Sequence, residues 1–197
     1  YAGISGTNVT RDFVELPSQI MEHWATAPEV LKMYAKHYRT GETIPDSLIE
    51  KIQSVGTFNQ GFMTTELLAA AILDMELHKI TAEQIKEKDL NVVEFEKNLT
   101  DKLGLIPQIA PRYRATYFNH IVGGYDAGYY SYLWANVLDS DAFEAFKENG
   151  LFDKKTATSF RENILEKGNS DDPMVLYKNF RGAEPKMEPM LKDRGLQ

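Results

Sequence analysis

The stretch TFNQGFMTTELLAAAILDMELHK, residues 57–79, is the segment that decides the fold class. Its centre is the unbroken run LLAAAIL at residues 67–73, where apolar side chains cover nearly every side of a helix. A helix of this kind is expected to be buried among other helices, because a surface helix keeps one polar face. The stretch therefore predicts a long central helix in a helical protein.

Helical patterns continue on both sides of this segment, and strand patterns are nearly absent. Three prolines, Pro17, Pro28 and Pro45, stand where the first turn of a helix tolerates a missing N–H. Further helices are expected over residues 12–24, 28–38, 45–54, 91–103, 125–149, 153–167, 173–180 and 185–193. The sequence thus predicts an all-α, multi-helix fold with an irregular loop region around residues 104–124.

Composition and charge exclude several classes of function. Of the 197 residues, 43% are apolar and 26% are charged, as in ordinary globular proteins. The absence of cysteine excludes disulfides and thiolate metal sites. The formal net charge is −7 with no basic stripe, so neither nucleic acid nor a membrane is expected as a partner. Because the chain starts at Tyr1 rather than methionine, we interpret it as part of a longer protein.

The first group of candidate functional residues lies on one face of the expected helix over residues 12–24. The polar members are Asp12, Glu15, Gln19 and Glu22, and the opposite face holds Phe13, Leu16, Ile20 and Trp24. The ordinary interpretation is a solvated face over a buried one. The alternative is that Glu15 is a metal ligand, with Asp12 or Glu22 supporting ligand histidines.

The second group surrounds a glycine pair. His120 precedes Gly123 and Gly124, and three tyrosines follow at positions that share one helix face, Tyr125, Tyr129 and Tyr132. Ordinary packing is one interpretation, although each buried phenol then needs a hydrogen-bond partner. The alternative is a row of hydroxyl donors that stabilise an oxyanion and hold a peptide backbone.

A third group is Asp74 and His78, one helical turn apart. They could share an ion or bond to each other, but two ligands are too few for a metal site. We therefore interpret them as a structural pair near the end of the helix. His23 and His37 show no convergent partners in the sequence.

Several motifs occur together in the order of a known family. They are SGTNVTRDFVELPSQ at residues 5–19, FNQGF at 58–62, ELLAAAILDMELH at 66–78 and YFNHIVGGYDAGYYSYLW at 117–134. Over essentially the whole chain they resemble the thimet oligopeptidase family of zinc metallopeptidases. RDFVELPSQ and the closing FRGAEPKMEPMLKDRGL, residues 180–196, are most similar to the bacterial peptidyl-dipeptidases, also called dipeptidyl carboxypeptidases.

The resemblance implies roles for individual residues. In the family, an HExxH helix supplies two zinc ligands and the general base, and a glutamate on the following helix is the third ligand. That glutamate corresponds to Glu15. The other correspondences are catalytic His120, Tyr125 and Tyr132, substrate-binding Tyr129, and Gly123, Gly124 and Gly128 in the flexible loop that approaches the peptide.

The sequence departs from the family in one respect, because no HExxH occurs in its 197 residues. We expect the zinc-binding histidines and the general base to lie before Tyr1 in the complete protein. A single glutamate cannot hold a catalytic zinc, which usually has three protein ligands. Residues 1–197 are thus expected to be a single C-terminal fragment of the catalytic lobe, inactive and without metal when isolated, whereas the complete enzyme uses Zn²⁺.

The resemblance implies a parent enzyme that releases dipeptides from the C-termini of short peptides. An oligopeptidase that cuts within short peptides is the alternative, and a non-catalytic helical peptide-binding module is an alternative of another class. Arg112 or Arg114 could anchor a substrate carboxylate, which would favour the exopeptidase. Peptide turnover in the cytoplasm is the default for the family, and an exported form stays open.

Overall fold

The structure is a computed structural model that describes residues 1–88 and 90–197, apart from the side chains of residues 87 and 88. These residues contain ten α-helices and, outside them, one isolated antiparallel bridge between Lys36 and Thr43. The all-α prediction is therefore confirmed. The helices are α1 (Leu16–Thr26), α2 (Pro28–Tyr34), α3 (Asp46–Val55), α4 (Gln60–His78), α5 (Ala82–Lys88), α6 (Val92–Lys102), α7 (Ser131–Asn149), α8 (Lys154–Phe160), α9 (Pro173–Arg181) and α10 (Glu188–Asp193).

Short helical turns fill part of the remaining chain. Three of them are 3₁₀ helices, at Ala2–Ile4, Ala115–Tyr117 and Asn119–Val122, and Arg161–Leu165 forms a π-helical turn directly after α8. Two of the 3₁₀ helices lie inside the region around residues 104–124, which was predicted to be irregular. Within the described residues, no helix combines the length and the apolar character that a membrane crossing requires.

The predicted start of the first helix is wrong. Residues before Leu16 form turns, in which the Phe13 N–H donates to the Thr10 carbonyl and the Leu16 N–H to the Phe13 carbonyl. Glu15 therefore occupies the N-cap position, and its side chain makes no capping bond. Pro17 lies in the first turn as predicted, because its missing N–H has no intrahelical partner there.

The second helix is shorter than predicted, and α5 was missed. α2 ends at Tyr34 because the chain reverses, with the Ile44 N–H donating to the Ala35 carbonyl at 2.9 Å. Before α5, the Gln84 N–H donates to Thr81 Oγ1 and the Thr81 N–H to Gln84 Oε1. This is a reciprocal capping box, a sequence signal that could have identified α5.

The described chain divides into two compact units, residues 1–60 with 134–197 and residues 61–133. The first unit has a core of buried side chains from α1, α7, α8 and α9. The ring of Trp24 packs edge-on against Phe143 and Phe146, each at 4.7 Å between ring centres. Its indole N–H donates to the Leu151 carbonyl at 3.0 Å, so the buried polar atom is satisfied. That residues 1–197 form a single lobe fragment stays a prediction.

His23 has a partner in the first unit, so the expectation that it has none is wrong. Its Nε2 lies 2.6 Å from Oδ1 of the buried Asp139, and its ring stacks on Phe143 at 4.5 Å between centres. The two residues are 116 positions apart, and no local spacing rule connects them. His37 instead accepts a hydrogen bond from the Thr40 N–H in an exposed turn.

Replacing Tyr177 with phenylalanine should destabilise the first unit. Tyr177 is fully buried, and its hydroxyl donates to Asp141 Oδ2 at 2.7 Å. Burial, followed by this hydrogen bond, raises the pKa of Tyr177. Tyr177→Phe leaves the buried Asp141 carboxylate short of a donor, so we expect a loss of about 1–3 kcal/mol in the free energy of unfolding. Urea unfolding measures this loss.

Tyr38→Phe is the control for this prediction, because Tyr38 is 82% exposed in the same unit. Its free energy of unfolding should stay within about 0.5 kcal/mol of the starting protein. Equal stability of the two variants would contradict the role assigned to the Tyr177 hydroxyl.

The second unit is organised around α4. Ala70, Ala71 and Leu73 of this helix form a core with Phe118 and Tyr129. The expectation that α4 is buried on nearly every side is only partly right, since Leu68 stays 38% exposed and Met75 40%. The buried face of α4 instead supports the segment that holds the candidate site residues.

Candidate active site

The helix predicted from Tyr125 begins later, at Ser131. Residues 124–130, which we call the tyrosine turn, precede α7 and contain two residues with left-handed backbone. Gly124 has a φ of 101° and Ala127 a φ of 50°, neither of which occurs inside a right-handed α-helix. The prediction that Tyr125, Tyr129 and Tyr132 share one helix face is therefore wrong.

The three tyrosines converge nevertheless. Tyr125 stacks on Tyr132 with 5.2 Å between ring centres, and Tyr129 lies at the same distance from Tyr132. The turn brings Tyr125 and Tyr129 to the first residues of α7, where Tyr132 is located. Three phenols thus share one small region of the second unit, by a route that differs from the predicted one.

His120 lies at the centre of this group. Its ring is 5.8 Å from Tyr125, 5.1 Å from Tyr129 and 5.8 Å from Tyr132, measured between ring centres. Its Nδ1 atom is buried and has no hydrogen-bond partner among the described residues. A buried polar atom without a partner is costly, so this nitrogen is available to a bound ligand. We refer to His120, Tyr125, Tyr129 and Tyr132 as the aromatic cluster.

Tyr129 is the deepest member of the aromatic cluster, with 2% of its surface exposed. Burial raises its pKa to about 12, although the nearby Arg112 cation opposes the rise. The phenol consequently stays protonated at neutral pH and can act as a donor. Its oxygen also takes part in a hydrogen bond with the Arg112 side chain.

The two arginines proposed as anchors have different surroundings. Arg114 forms an ion pair with Glu96, a buried carboxylate that also accepts a hydrogen bond from the Ala115 N–H at 2.7 Å. Arg112 is exposed and contacts Tyr129, and it forms no ion pair with a carboxylate in the described part of the chain. Arg114 therefore has a structural role, whereas the charge of Arg112 remains available to a ligand.

The glycines that precede and follow Tyr125 allow the tight backbone of this region. A Cβ atom on Gly123 would lie 2.9 Å from the Asn119 carbonyl oxygen, and the positive φ of Gly124 favours glycine. Gly128 is buried, and its N–H donates to the Tyr125 carbonyl at 2.9 Å. The three predicted glycines thus belong to the backbone that positions the aromatic cluster.

Asp74 and His78 are paired as predicted, but sequence reasoning missed the further contacts of Asp74. His78 Nδ1 lies 2.9 Å from Asp74 Oδ1. The same carboxylate accepts hydrogen bonds from the N–H groups of Ala127 and Tyr129 in the tyrosine turn. These contacts join residues 53 and 55 positions apart, so no local pattern could reveal them.

Glu15 belongs to the first unit, at the start of α1. It is half-buried, and its Oε2 accepts a hydrogen bond from Ser18 Oγ at 2.9 Å. The apolar face opposite it is buried as predicted, with Phe13, Leu16 and Ile20 in the core. A carboxylate suits zinc, but the described residues include no group of three or more histidine, cysteine or acidic side chains that could hold a metal ion.

The described residues form an all-helical chain in which phenols and a buried imidazole nitrogen lie beside a glycine turn. Such groups can donate hydrogen bonds to a peptide backbone or to an oxyanion. The chain belongs to peptidase family M3, whose family model matches residues 1–196. The family predicted from the ordered motifs of the sequence is thereby confirmed.

Curated relatives agree with this assignment. The chain is 47% identical over 197 residues to dipeptidyl carboxypeptidase of Escherichia coli (strain K12), covering 100% of this chain and 29% of the relative. It is 47% identical over 198 residues to dipeptidyl carboxypeptidase of Salmonella typhimurium, and 39% identical over 198 residues to oligopeptidase A of Escherichia coli, with the same coverage. The chain thus spans less than a third of the length of these relatives.

Proposed function

We propose that this chain is part of a zinc-dependent peptidase that releases C-terminal dipeptides from short peptides. The observation that supports this most directly is the convergence of His120, Tyr125 and Tyr132 at the tyrosine turn. The similarity to dipeptidyl carboxypeptidases is consistent with it. The active protein would be a longer polypeptide, which supplies the residues that complete the site.

The proposed roles follow from the chemistry of peptide hydrolysis. Attack on the scissile carbonyl places negative charge on its oxygen, and Tyr132 and Tyr125 would donate O–H hydrogen bonds to that oxygen. His120 would hold the substrate backbone through its unpartnered ring nitrogen or assist at the same oxygen. Zn²⁺ supplies Lewis acidity when it is bound, and Glu15 is the residue proposed to help hold it.

Substrate contacts are proposed for the remaining members of the site. Tyr129 would contact the peptide through its protonated phenol, and it also holds the Arg112 side chain. Gly123, Gly124 and Gly128 would let the backbone of the turn approach the peptide closely. Short peptides are the proposed partners, and the cytoplasm is the proposed compartment.

Arg112 favours dipeptide release over internal cleavage. An exopeptidase that removes two residues from a C-terminus must bind the terminal carboxylate. A guanidinium binds a carboxylate with two parallel hydrogen bonds. Arg112 forms no ion pair with a carboxylate among the described residues, whereas the buried Glu96 engages Arg114. Internal cleavage of short peptides is the second candidate, and the 39% identity to a relative named oligopeptidase A is consistent with it.

Product analysis of two matched peptides distinguishes these candidates. The full-length protein with added Zn²⁺ receives one peptide with a free C-terminus and the same peptide with a C-terminal amide. Mass spectrometry should show dipeptide release from the free peptide and slow or no cleavage of the amide. Equal internal cleavage of both would indicate an oligopeptidase, and no cleavage of either would refute the proposed activity. Residues 1–197 alone, assayed in parallel, should be inactive.

A further inference from the structure

We propose that Asp74 and His78 of α4 are positioning residues that set the conformation of the tyrosine turn and hence the placement of its phenols. The consequence for catalysis rests on the proposed function, whereas the consequence for the turn does not. Asp74 and His78 contact neither substrate nor metal in the proposed mechanism. The Asp74 carboxylate is completely buried and is hydrogen-bonded to the backbone of the tyrosine turn.

The two oxygens of Asp74 bond to two separate amides of the turn. Oδ1 accepts from the Ala127 N–H and Oδ2 from the Tyr129 N–H, each at 2.9 Å. These two bonds hold the 126–127 and 128–129 peptide planes, which lie on either side of the Ala127–Gly128 peptide. The backbone that leads into Tyr129 is consequently held against α4, whose Ala70, Ala71 and Leu73 belong to the core of this unit.

The turn needs such support because of its backbone. Ala127 has a φ of 50°, in the left-handed region that residues other than glycine rarely occupy. Backbone of this kind persists where the surrounding structure holds it. The bond from the Ala127 N–H to Asp74 acts on the strained residue itself. A carboxylate suits this task, since a hydrogen bond to a charged acceptor is stronger than one to a neutral acceptor.

His78 orients the Asp74 carboxylate. Its Nδ1 lies 2.9 Å from Asp74 Oδ1 and 2.8 Å from the Asp74 carbonyl oxygen. Both neighbours are acceptors, so Nδ1 carries the proton and donates. The imidazole is about one-third exposed at the end of α4, while the carboxylate is fully buried. His78 thus links the surface of the second unit to the backbone beneath the aromatic cluster.

Amide hydrogen exchange tests the effect on the turn without any assay of activity. Asp74→Asn keeps the size of the side chain but replaces one accepting oxygen with an NH₂ group that faces a backbone N–H. In the full-length protein, peptides that contain Ala127 and Tyr129 should exchange at least about tenfold faster in this variant. Glu76→Gln is the control, because Glu76 lies on the same helix and forms a surface ion pair with Lys79. This variant should leave the exchange of the turn unchanged.

His78 variants keep the test informative if Asp74→Asn folds poorly. His78→Leu removes the donor at a partly exposed position, and His78→Gln restores a donor of similar reach. We expect faster exchange in the turn for His78→Leu and partial recovery for His78→Gln. A general loss of packing would not be reversed by restoring a hydrogen-bond donor, so the recovery separates positioning from simple stability.

Kinetics on the full-length protein then test the link to catalysis. Asp74→Asn should lower kcat by about 10- to 100-fold with a change in KM below about threefold, because the oxyanion donors are displaced by a fraction of an ångström. Unchanged exchange in the turn for both Asp74→Asn and His78→Leu would overturn the inference, whether or not the protein is a peptidase. If Asp74→Asn alters the exchange of the turn but keeps full kcat, only the link to catalysis is overturned, and the positioning role stands.

Discussion

Tyr132→Phe is expected to lower kcat of the full-length protein by about 10²–10³-fold, the loss typical of removing one oxyanion donor. The substitution keeps the aromatic ring, so the stacking on Tyr125 at 5.2 Å and the contact with His120 at 5.8 Å persist. Only the hydroxyl disappears. The loss should therefore fall on kcat, whereas KM and the thermal unfolding temperature stay close to the starting values.

Steady-state kinetics and circular dichroism of the same preparations measure these quantities. Tyr117→Phe is the matched control, because Tyr117 belongs to the same unit and is 58% exposed. It should keep full activity. Retention of kcat in Tyr132→Phe would remove Tyr132 from the proposed mechanism and leave Tyr125 as the candidate donor.

Arg112→Gln is expected to reduce the preference for a free C-terminus over an amide by roughly 10- to 150-fold. The reason is the loss of a charge-assisted hydrogen bond to the substrate carboxylate, which contributes about 1.5–3 kcal/mol. The cleavage rate of the amidated peptide should change little, because that peptide has no carboxylate to lose. The ratio of kcat/KM for the free and amidated peptides is the quantity to measure.

Arg112→Lys and Lys97→Gln complete this experiment. Lysine keeps the charge without the two parallel donors of arginine, so Arg112→Lys should retain part of the preference. Lys97 pairs with Asp101 on the surface of α6 in the same unit, and Lys97→Gln should leave the preference unchanged. An unaltered ratio in Arg112→Gln would exclude Arg112 as the carboxylate anchor, while the proposed peptidase activity would still stand.

Most of the helices could be predicted from the sequence, but the residues at which they begin and end could not. Apolar periodicity located α4 and the buried face of α1, because that signal depends on neighbouring residues. The start of α1 and the end of α2 depend on turns and a chain reversal, which compete with the helix at its ends. α5 was missed although its capping box at Thr81 and Gln84 was visible in the sequence.

Only part of the arrangement of the candidate site could be predicted from the sequence. The motif at residues 117–134 pointed to residues that the structure brings together, but the predicted shared helix face is not the reason for their proximity. Left-handed backbone at Ala127 breaks the helical pattern, and periodicity assumes a backbone that this turn does not have. The sequence did not show which of Arg112 and Arg114 is available to bind a carboxylate. They differ because Arg114 is paired with the buried Glu96, a contact that only the folded chain shows.

The sequence by itself determined the helical class, the family and the set of candidate residues, since each depends on local composition or on an ordered series of motifs. Only the tertiary structure decided which groups meet. It joined Asp74 to the tyrosine turn, His23 to Asp139 and Arg114 to Glu96. These contacts form when distant segments pack together, and the burial that makes them strong exists only in the folded chain.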